Sequence, residues 1–372
     1  KSANIDDIEF VINSSAYTQD QFINSEPVEI NEEGLLRAVR FGNLMINPIS
    51  YNPVTNELKI KRNIEFNITF EGANYEATNT EKARLYSPYF ETIYKSMVNY
   101  SPLNSREDMI ENQVGYIIIA NEVFNGHLDD FVEWKTQKGF KVDVAYTNEI
   151  GSSSANIRSY ILSQYNNASP TPSFVLLVGD TQQVPASYSS GGHVSDLDYC
   201  DLTNDNVPDL LHGRFSAQNP SQLLAQIEKT IEYERYEMSN PSFLEDVIMI
   251  SGVDANYAPT YGNGQINYGN SYYFNGSNGI TSNTFLYPAS GSSGAQILSL
   301  ANQGAAFINY TAHGWESGWA DPSFDLNDAN SMTNSGKYPT MVGNCCLTNA
   351  FDSGACFGEA LLRKSNGGAI GY

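Results

Sequence analysis

The sequence predicts an α/β protein of parallel sheets covered by helices, preceded by a domain of β-strands. Three observations carry this expectation. Apolar and polar residues alternate at period two through Leu58, Ile60, Ile64, Phe66, Ile68 and Phe70, as strands with one buried face require. From Tyr116 onward, short apolar runs alternate with amphipathic segments, the pattern of parallel strands joined by helices. A chain of 372 residues also exceeds a single core, at roughly 150 residues per domain.

Residues 1 to about 80 read as an all-β sandwich or barrel, with Pro and Asn in NPISYNPVTNE ending strands. Between Glu71 and Gln113 the alternation stops. The stretch LYSPYFETIYKSMVNYSPLNSREDMIENQ holds a short helix and then a polar connector. YIIIAN, FKVDVAY and FVLLVGD follow as strands, separated by helices around LDDFVEWKTQKG and SANIRSYILSQY. Asn219 is placed to cap a long helix with Pro220 at its first position, running to Met238. A second series begins with VIMISGVD and continues with TFLYP, the helix GAQILSLANQ, AAFINYTAHG, TMVGNCC and the helix ACFGEALLRKS. These segments predict a β-rich unit with its connector over 1–112 and α/β subdomains over 113–242 and 243–372. GGAIGY opens another apolar run, so the last subdomain is expected to be incomplete at Tyr372.

Composition narrows the function. A net charge of -22, from 42 acidic and 20 basic residues, disfavours nucleic acid, whose phosphates require clustered Lys and Arg. The 41% hydrophobic content excludes a mainly disordered chain. No stretch approaches the roughly 20 apolar residues of a membrane span, and KSANIDDIEF lacks the apolar core of a signal peptide. A surface rich in Asn, Tyr and Gly suits a secreted bacterial protein. No organic cofactor is expected. Of Cys200, Cys345, Cys346 and Cys356, two are adjacent, where a bridge is badly strained, so at least one free thiol is expected.

Ligands in open α/β sheets bind at the carboxyl ends of the strands. Four reactive residues follow the apolar runs: Asp180, Asp254, His313 and Cys346. A thiol, an imidazole and a carboxylate at three strand ends form a constellation for nucleophilic catalysis. His313 would activate the thiol and Asp254 would orient the imidazole, while N–H groups near Gly314 and Cys346 could hold an oxyanion. The competing reading of such a cysteine is a small core hydrophobe, and spacing leaves Cys345 and Cys346 both open. His127, His193 and His212 read as surface or turn residues. The acidic run SDLDYCDLTNDNVPDL is either a solvated loop or a set of oxygen ligands suited to Ca²⁺.

The stretches FINYTAHGWESGWADPSF and MVGNCCLTNAFDSGACFGEALLR closely resemble the gingipain family of cysteine peptidases, especially its lysine-specific member. WKTQKGFKVDVAYT, VLLVGDTQ and ISGVDANY extend the resemblance over residues 116 to 372. It implies a caspase-like fold with chemistry on the second α/β subdomain. His313 then matches the catalytic histidine, Cys346, 33 residues later, the nucleophile, and Asp254 the carboxylate behind the histidine. GLLRAVRFGNLMINPISYNP resembles the family propeptide, which implies that residues 1–112 form an inhibitory pro-domain released by cleavage at Arg106 or Lys95. An ordinary accessory β domain is the alternative for this segment.

The resemblance further implies calcium bound by Asp180, Asp205, the Val207 carbonyl and Asp209, although Thr203 replaces an acid there. A second calcium site would use the Phe351 carbonyl and Glu359. No Asp or Glu lies between Asp254 and Glu316, so the pocket acid of arginine-specific relatives is missing and lysine is the expected target. The absence of Lys and Arg between Arg235 and Lys337 would protect such an enzyme from itself. The expected protein is a secreted or surface cysteine endopeptidase zymogen, exported by type IX secretion, with peptide substrates and its own propeptide as inhibitor. A sortase-like member of the family and a catalytically silent adhesin or binding module are the alternatives.

Overall fold

The N-terminal alternation folds into two antiparallel hairpins, β1 (Val28–Leu36) with β2 (Val39–Ile46), and β3 (Ile49–Asn52) with β4 (Glu57–Ile60). The structure is a computed structural model that describes residues 14–23, 26–101, 113–189 and 191–372. Its first compact unit comprises Lys1–Tyr86 and Asp205–Val207, and its second Ser87–Asn204 and Pro208–Tyr372. The strands expected in the first unit are present as these hairpins. Among the described residues the hairpins form separate two-stranded sheets, and residues 64–70 join no ladder. Phe66, Ile68 and Phe70 alternate correctly but find no partner edge, and their side chains stay exposed. A helix, Tyr75–Arg84, also interrupts the all-β reading; the Asn74 side chain caps it by accepting the Ala77 N–H.

The second unit contains both α/β subdomains. Its first sheet uses β5 (Val114–Ala120), β6 (Phe140–Tyr146), β7 (Pro172–Val178) and, after the short pair β8 (Ser187–Tyr188) and β9 (Val194–Ser195), β10 (Leu211–Phe215). All four strands are parallel, in the order β10-β7-β5-β6. Ile117, Ile118 and Ile119 are fully buried, because helices on both faces leave no solvent side for the run YIIIA. The helix Pro220–Glu234 starts as expected, with the Asn219 side chain accepting the Gln222 N–H and Pro220 in the first turn. It stops four residues short of Met238, where Tyr236 takes a left-handed φ of 59°. The connector is partly structural. Tyr89 packs on Phe140 and Phe174, and Phe90 and Tyr94 are buried. Lys95 ends the short helix Glu91–Lys95, and Arg106 lies outside the described residues.

The second sheet carries β11 (Asp246–Ser251), β12 (Thr281–Phe285) and β13 (Phe307–Thr311), then the small antiparallel strands β14 (Gly314–Trp315), β15 (Gly318–Trp319) and β16 (Phe324–Asp325), and finally β17 (Thr340–Asn344). Its parallel order is β12-β11-β13-β17. The terminal run GGAIGY pairs beside β17, through a parallel bridge from Gly371 to Thr340. Helices Gly294–Gln303 and Phe357–Arg363 bury Ile297, Ala301, Phe357 and Leu361 against the sheet. Trp319 anchors the β14–β16 excursion, stacked on Tyr310 at 4.6 Å and 7° and in contact with Phe324 and Phe357. Aromatic burial of this size contributes several kcal/mol per side chain, about 3–5 on truncation. The excursion that follows His313 is therefore held by the core rather than left as a free loop.

Candidate active site

Register places the site. Ser251 of β11 lies opposite Thr311 of β13, and Thr311 lies opposite Asn344 of β17. Asp254, His313 and Cys346 follow these matched residues by three, two and two positions. Three neighbouring parallel strands thus deliver carboxylate, imidazole and thiol to one edge of the sheet.

Glycines let the loops close. A Cβ on Gly314 would lie 2.8 Å from the Cys346 carbonyl and 2.9 Å from Cys345 Sγ, so the residue after His313 packs directly on the cysteine pair. A Cβ on Gly252 would meet Ala312 Cβ and the Asp321 carbonyl at 2.6 Å, so the chain leading to Asp254 needs glycine as well. Gly252, like Tyr310, escaped the sequence reading, although a glycine between an apolar run and an acid in ISGVD was the same signal that singled out Gly314. Backbone bonds lock the two loops together: Val253 N–H donates to the Asp321 carbonyl at 2.8 Å, and Ala320 N–H donates to that of His313 at 3.0 Å. The buried Tyr310 hydroxyl also donates to the His313 carbonyl, at 2.8 Å.

Asp254 Oδ1 accepts the N–H groups of Asn256 and Tyr257, at 2.9 and 3.0 Å, and Oδ2 meets His313 Nε2 at 2.8 Å. The Tyr257 N–H, then the imidazole and the Asn256 N–H, hold the Asp254 carboxyl below its ordinary value against the opposing effect of burial. An ionised carboxylate can only accept, so Nε2 carries the proton and Nδ1 is left as the basic nitrogen.

The four thiols differ sharply. Cys200 and Cys356 are buried, and burial pushes both up, Cys356 to about 12. Cys345 is half-buried, its thiol also raised by burial, and its sulfur lies 3.4 Å from Thr348 Oγ1. Cys346 alone is exposed. Immediately after it, Leu347 adopts a left-handed φ of 60° and Thr348 N–H donates to the Cys346 carbonyl at 2.8 Å, a tight turn of three residues. A leucine there carries backbone strain on the order of 1–3 kcal/mol. Of the adjacent pair, which the spacing leaves open, Cys346 is the exposed member.

The side chains expected to hold calcium have partners within the protein. Asp180 Oδ2 and Glu359 Oε1 both meet the guanidinium of Arg363, at 3.1 and 2.5 Å, with all three side chains buried. Glu359 Oε2 caps its own helix at the Cys356 N–H, 3.0 Å away, and Oε1 also accepts from Ser216. Asp180 further accepts from Gln218 and the Thr181 N–H. Asp209 accepts the Leu202 N–H at 3.0 Å. Asp205 and Val207 group with the first unit, where Asp205 accepts the N–H groups of Leu35 and Val207. The Phe351 ring lies under the Arg214 guanidinium, at 5.1 Å. These donors do not fit a calcium ion: a cationic guanidinium already neutralises the two acids that head the expected sites. Among the described residues no group of three or more His, Cys, Asp and Glu side chains is arranged to hold a metal.

The sequence profile of peptidase family C25 matches residues 110–372, and that of the C25 propeptide matches residues 1–98. Lys-gingipain of Porphyromonas gingivalis is 37% identical over 379 aligned residues, covering all of this chain and 22% of that protein. The chain therefore spans about a fifth of this curated relative's length. A solved structure titled "Structure of Protease" superposes with a TM-score of 0.65 at 36% identity, covering 69% of this chain and 58% of the other. The crystal structure of the Arg specific cysteine proteinase gingipain R gives a TM-score of 0.61 at 27% identity, covering 73% and 63%.

Two outcomes test this geometry. Asp254→Asn places an amide donor on Nε2, forces the proton to Nδ1 and removes the base, so alkylation of Cys346 by iodoacetamide at neutral pH should slow by about tenfold or more. Arg363→Met leaves two buried carboxylates without their cation and should lower unfolding free energy in urea by about 3–5 kcal/mol. The sign with pH follows from Asp180. Burial raises its carboxyl, but the donors of Gln218, Thr181 and Arg363 outweigh burial and hold it below the ordinary value. Its contribution is therefore present above the ordinary carboxylate range and lost as pH falls through the lowered value, so the stability gap between parent and variant should narrow in acid.

Proposed function

The chain belongs to peptidase family C25, and from that premise we propose that it is the zymogen of a secreted cysteine endopeptidase whose nucleophile is Cys346. The observation that carries this reading is the exposed thiol of Cys346, whose carbonyl packs against Gly314, the residue after His313, with Asp254 meeting the imidazole at 2.8 Å. His313 Nδ1 takes the thiol proton as Cys346 Sγ attacks the peptide carbonyl carbon. The N–H groups of Gly314 and Cys346 serve the oxyanion. The C–N bond then breaks, His313 passes its proton to the leaving amine, and water hydrolyses the thioester. A silent adhesin would need none of this arrangement.

Lysine is the proposed target residue. Two sequence facts support it: no acid lies between Asp254 and Glu316, and no Lys or Arg lies between Arg235 and Lys337. Residues 1–98, matched to the C25 propeptide, act as the inhibitor until the connector is cut. An extracellular or surface location reached by type IX secretion completes the proposal. Among the described residues no helix is long and apolar enough to cross a membrane.

A thiol-directed peptidyl inhibitor ending in lysine should label Cys346, read by mass spectrometry. Cys346→Ala should lose both labelling and peptide cleavage, while Cys345→Ala keeps both; the reverse result would make Cys345 the nucleophile. Proteolysis of the connector should raise hydrolysis of lysyl substrates, followed against gel fragments. Full activity of the uncut chain would remove the inhibitory role of the N-terminal segment.

A further inference from the structure

Two glycines make room for one aromatic ring behind the cysteine pair. A Cβ on Gly343 of β17 would strike the Tyr372 hydroxyl, and a Cβ on Gly358 of the helix Phe357–Arg363 would lie 2.8 Å from Tyr372 Cδ1. Neither position could carry a side chain without displacing the ring. Tyr372 thereby packs edge-on against Phe357, with ring centroids 5.4 Å apart, beside the core that Trp319 anchors.

The hydroxyl of Tyr372 sits where the two catalytic loops meet. It accepts the Trp319 indole N–H at 3.3 Å and donates to Thr348 Oγ1 at 2.8 Å, and the Cys345 sulfur lies within hydrogen-bonding reach of it. Burial pushes the hydroxyl up, so it keeps its proton at any working pH.

Each partner leads to one of the two reacting residues. Trp319 stacks on Tyr310, whose hydroxyl donates to the His313 carbonyl, and the Ala320 N–H, next after Trp319, donates to the same carbonyl. Thr348 is buried and fixed at three points: its N–H holds the Cys346 carbonyl, its own carbonyl accepts the Gly358 N–H at 2.9 Å, and its hydroxyl accepts from Tyr372. The His313 and Cys346 side chains are both exposed, so no packing of their own fixes their separation. That separation is set from below, by the buried path that Tyr372 closes. A misplacement on the order of 1 Å in such a pair costs about a hundredfold in rate.

We propose that Tyr372 is a positioning residue for the cysteine–histidine reaction: its hydroxyl couples the His313 loop, through Trp319, to the Cys346 turn, through Thr348, and so sets the distance over which the proton of Cys346 Sγ passes to His313 Nδ1. The inference rests on the peptidase reading above and adds to that site a residue that acts through others.

The experiment uses the full chain after cleavage of its connector, with the best-cleaved member of a mixed peptide library for turnover and alkylation of Cys346 by iodoacetamide followed against pH. Tyr372→Phe keeps the ring and removes only the hydroxyl. It should lower kcat about tenfold or more while KM stays within about twofold, because the loss falls on the reaction rather than on binding. A thiol that has lost its aligned base ionises like an ordinary cysteine, so the alkylation profile should move up toward about 8.5. Thr348→Val removes the acceptor and should do the same, whereas Thr348→Ser should keep the parental values. Tyr372→Phe combined with Thr348→Val should cost no more than the larger single change, since both break one bond. Should Tyr372→Phe fail to fold by thermal melting, the contrast between Thr348→Ser and Thr348→Val decides through the same readouts. Folded variants that melt lower but keep kcat and the alkylation profile make Tyr372 a packing residue only; that result overturns the positioning role and leaves the peptidase reading standing. A parent chain that cleaves no library member and is not labelled at Cys346 overturns both together.

Discussion

The parallel register of β11, β13 and β17 is the constraint on which the site depends. Side-chain direction in a strand has period two, so a slip of one residue would turn His313 or Cys346 to the opposite face. The ladder is fixed by burial: Ile248, Ile250, Ile308, Tyr310 and Met341 enter one core, and none could leave it without exposing a large apolar side chain. Beyond the last ladder bonds the geometry passes to close contacts. Gly252 and Gly314 allow backbone to touch backbone, and the Tyr310 hydroxyl reaches up from the core to hold the His313 carbonyl. One core residue thus both pins the sheet and positions the imidazole.

Charge is handled differently in the interior and at the site. Inside, anions are neutralised by protein cations: Arg363 serves Asp180 and Glu359, Arg214 serves Asp196, and Lys135 serves Glu234. Lys229 is spent on the carbonyls of Leu361, Leu362 and Gly367, at the end of the helix that contributes Glu359 and Arg363. Around the catalytic loops, 101 consecutive residues between Arg235 and Lys337 hold no Lys or Arg. The few bases of this acidic chain are thereby committed to structure in the second unit, and the cleft lined by Cys345, Leu347, Glu316 and Asp352 has no Lys or Arg in its lining.

How much was legible follows from where the signal resides. The strands YIIIAN, FVLLVGD, VIMISGVD and AAFINYTAHG were readable because burial on both faces demands continuous apolar runs, and FKVDVAY, at the sheet edge, through its alternation of apolar and polar residues. β10 was not, since LHGRF is a half-exposed edge strand carrying His, Gly and Arg. The helix Asn263–Tyr272 was also hidden: NGQINYGNSY is poor in good helix formers and has no clear apolar period. In the first unit the failure ran the other way. Residues 64–70 carry strand periodicity, but a ladder also requires a partner, which local sequence does not encode. That Asp254, His313 and Cys346 follow neighbouring strand ends was visible through chain order alone. The partner of Asp180 was not legible, because ligand spacing in sequence says nothing about a distant arginine, and Arg363 lies far along the chain from Asp180.

The adjacent cysteines show how one strand end serves both packing and chemistry. Consecutive residues leaving β17 face opposite ways, so Cys345 turns toward Gly314, Thr348 and Tyr372 while Cys346 turns to solvent. Burial pushes the Cys345 thiol up, so it stays a neutral packing group beside Cys346. The strained turn at Leu347 then reverses the chain at once, which brings Thr348 back to the Cys346 carbonyl and presents Cys346 at the apex. Here stability is given up locally, and the half-buried Cys345 and the buried Thr348 on either side of the turn hold the apex in place.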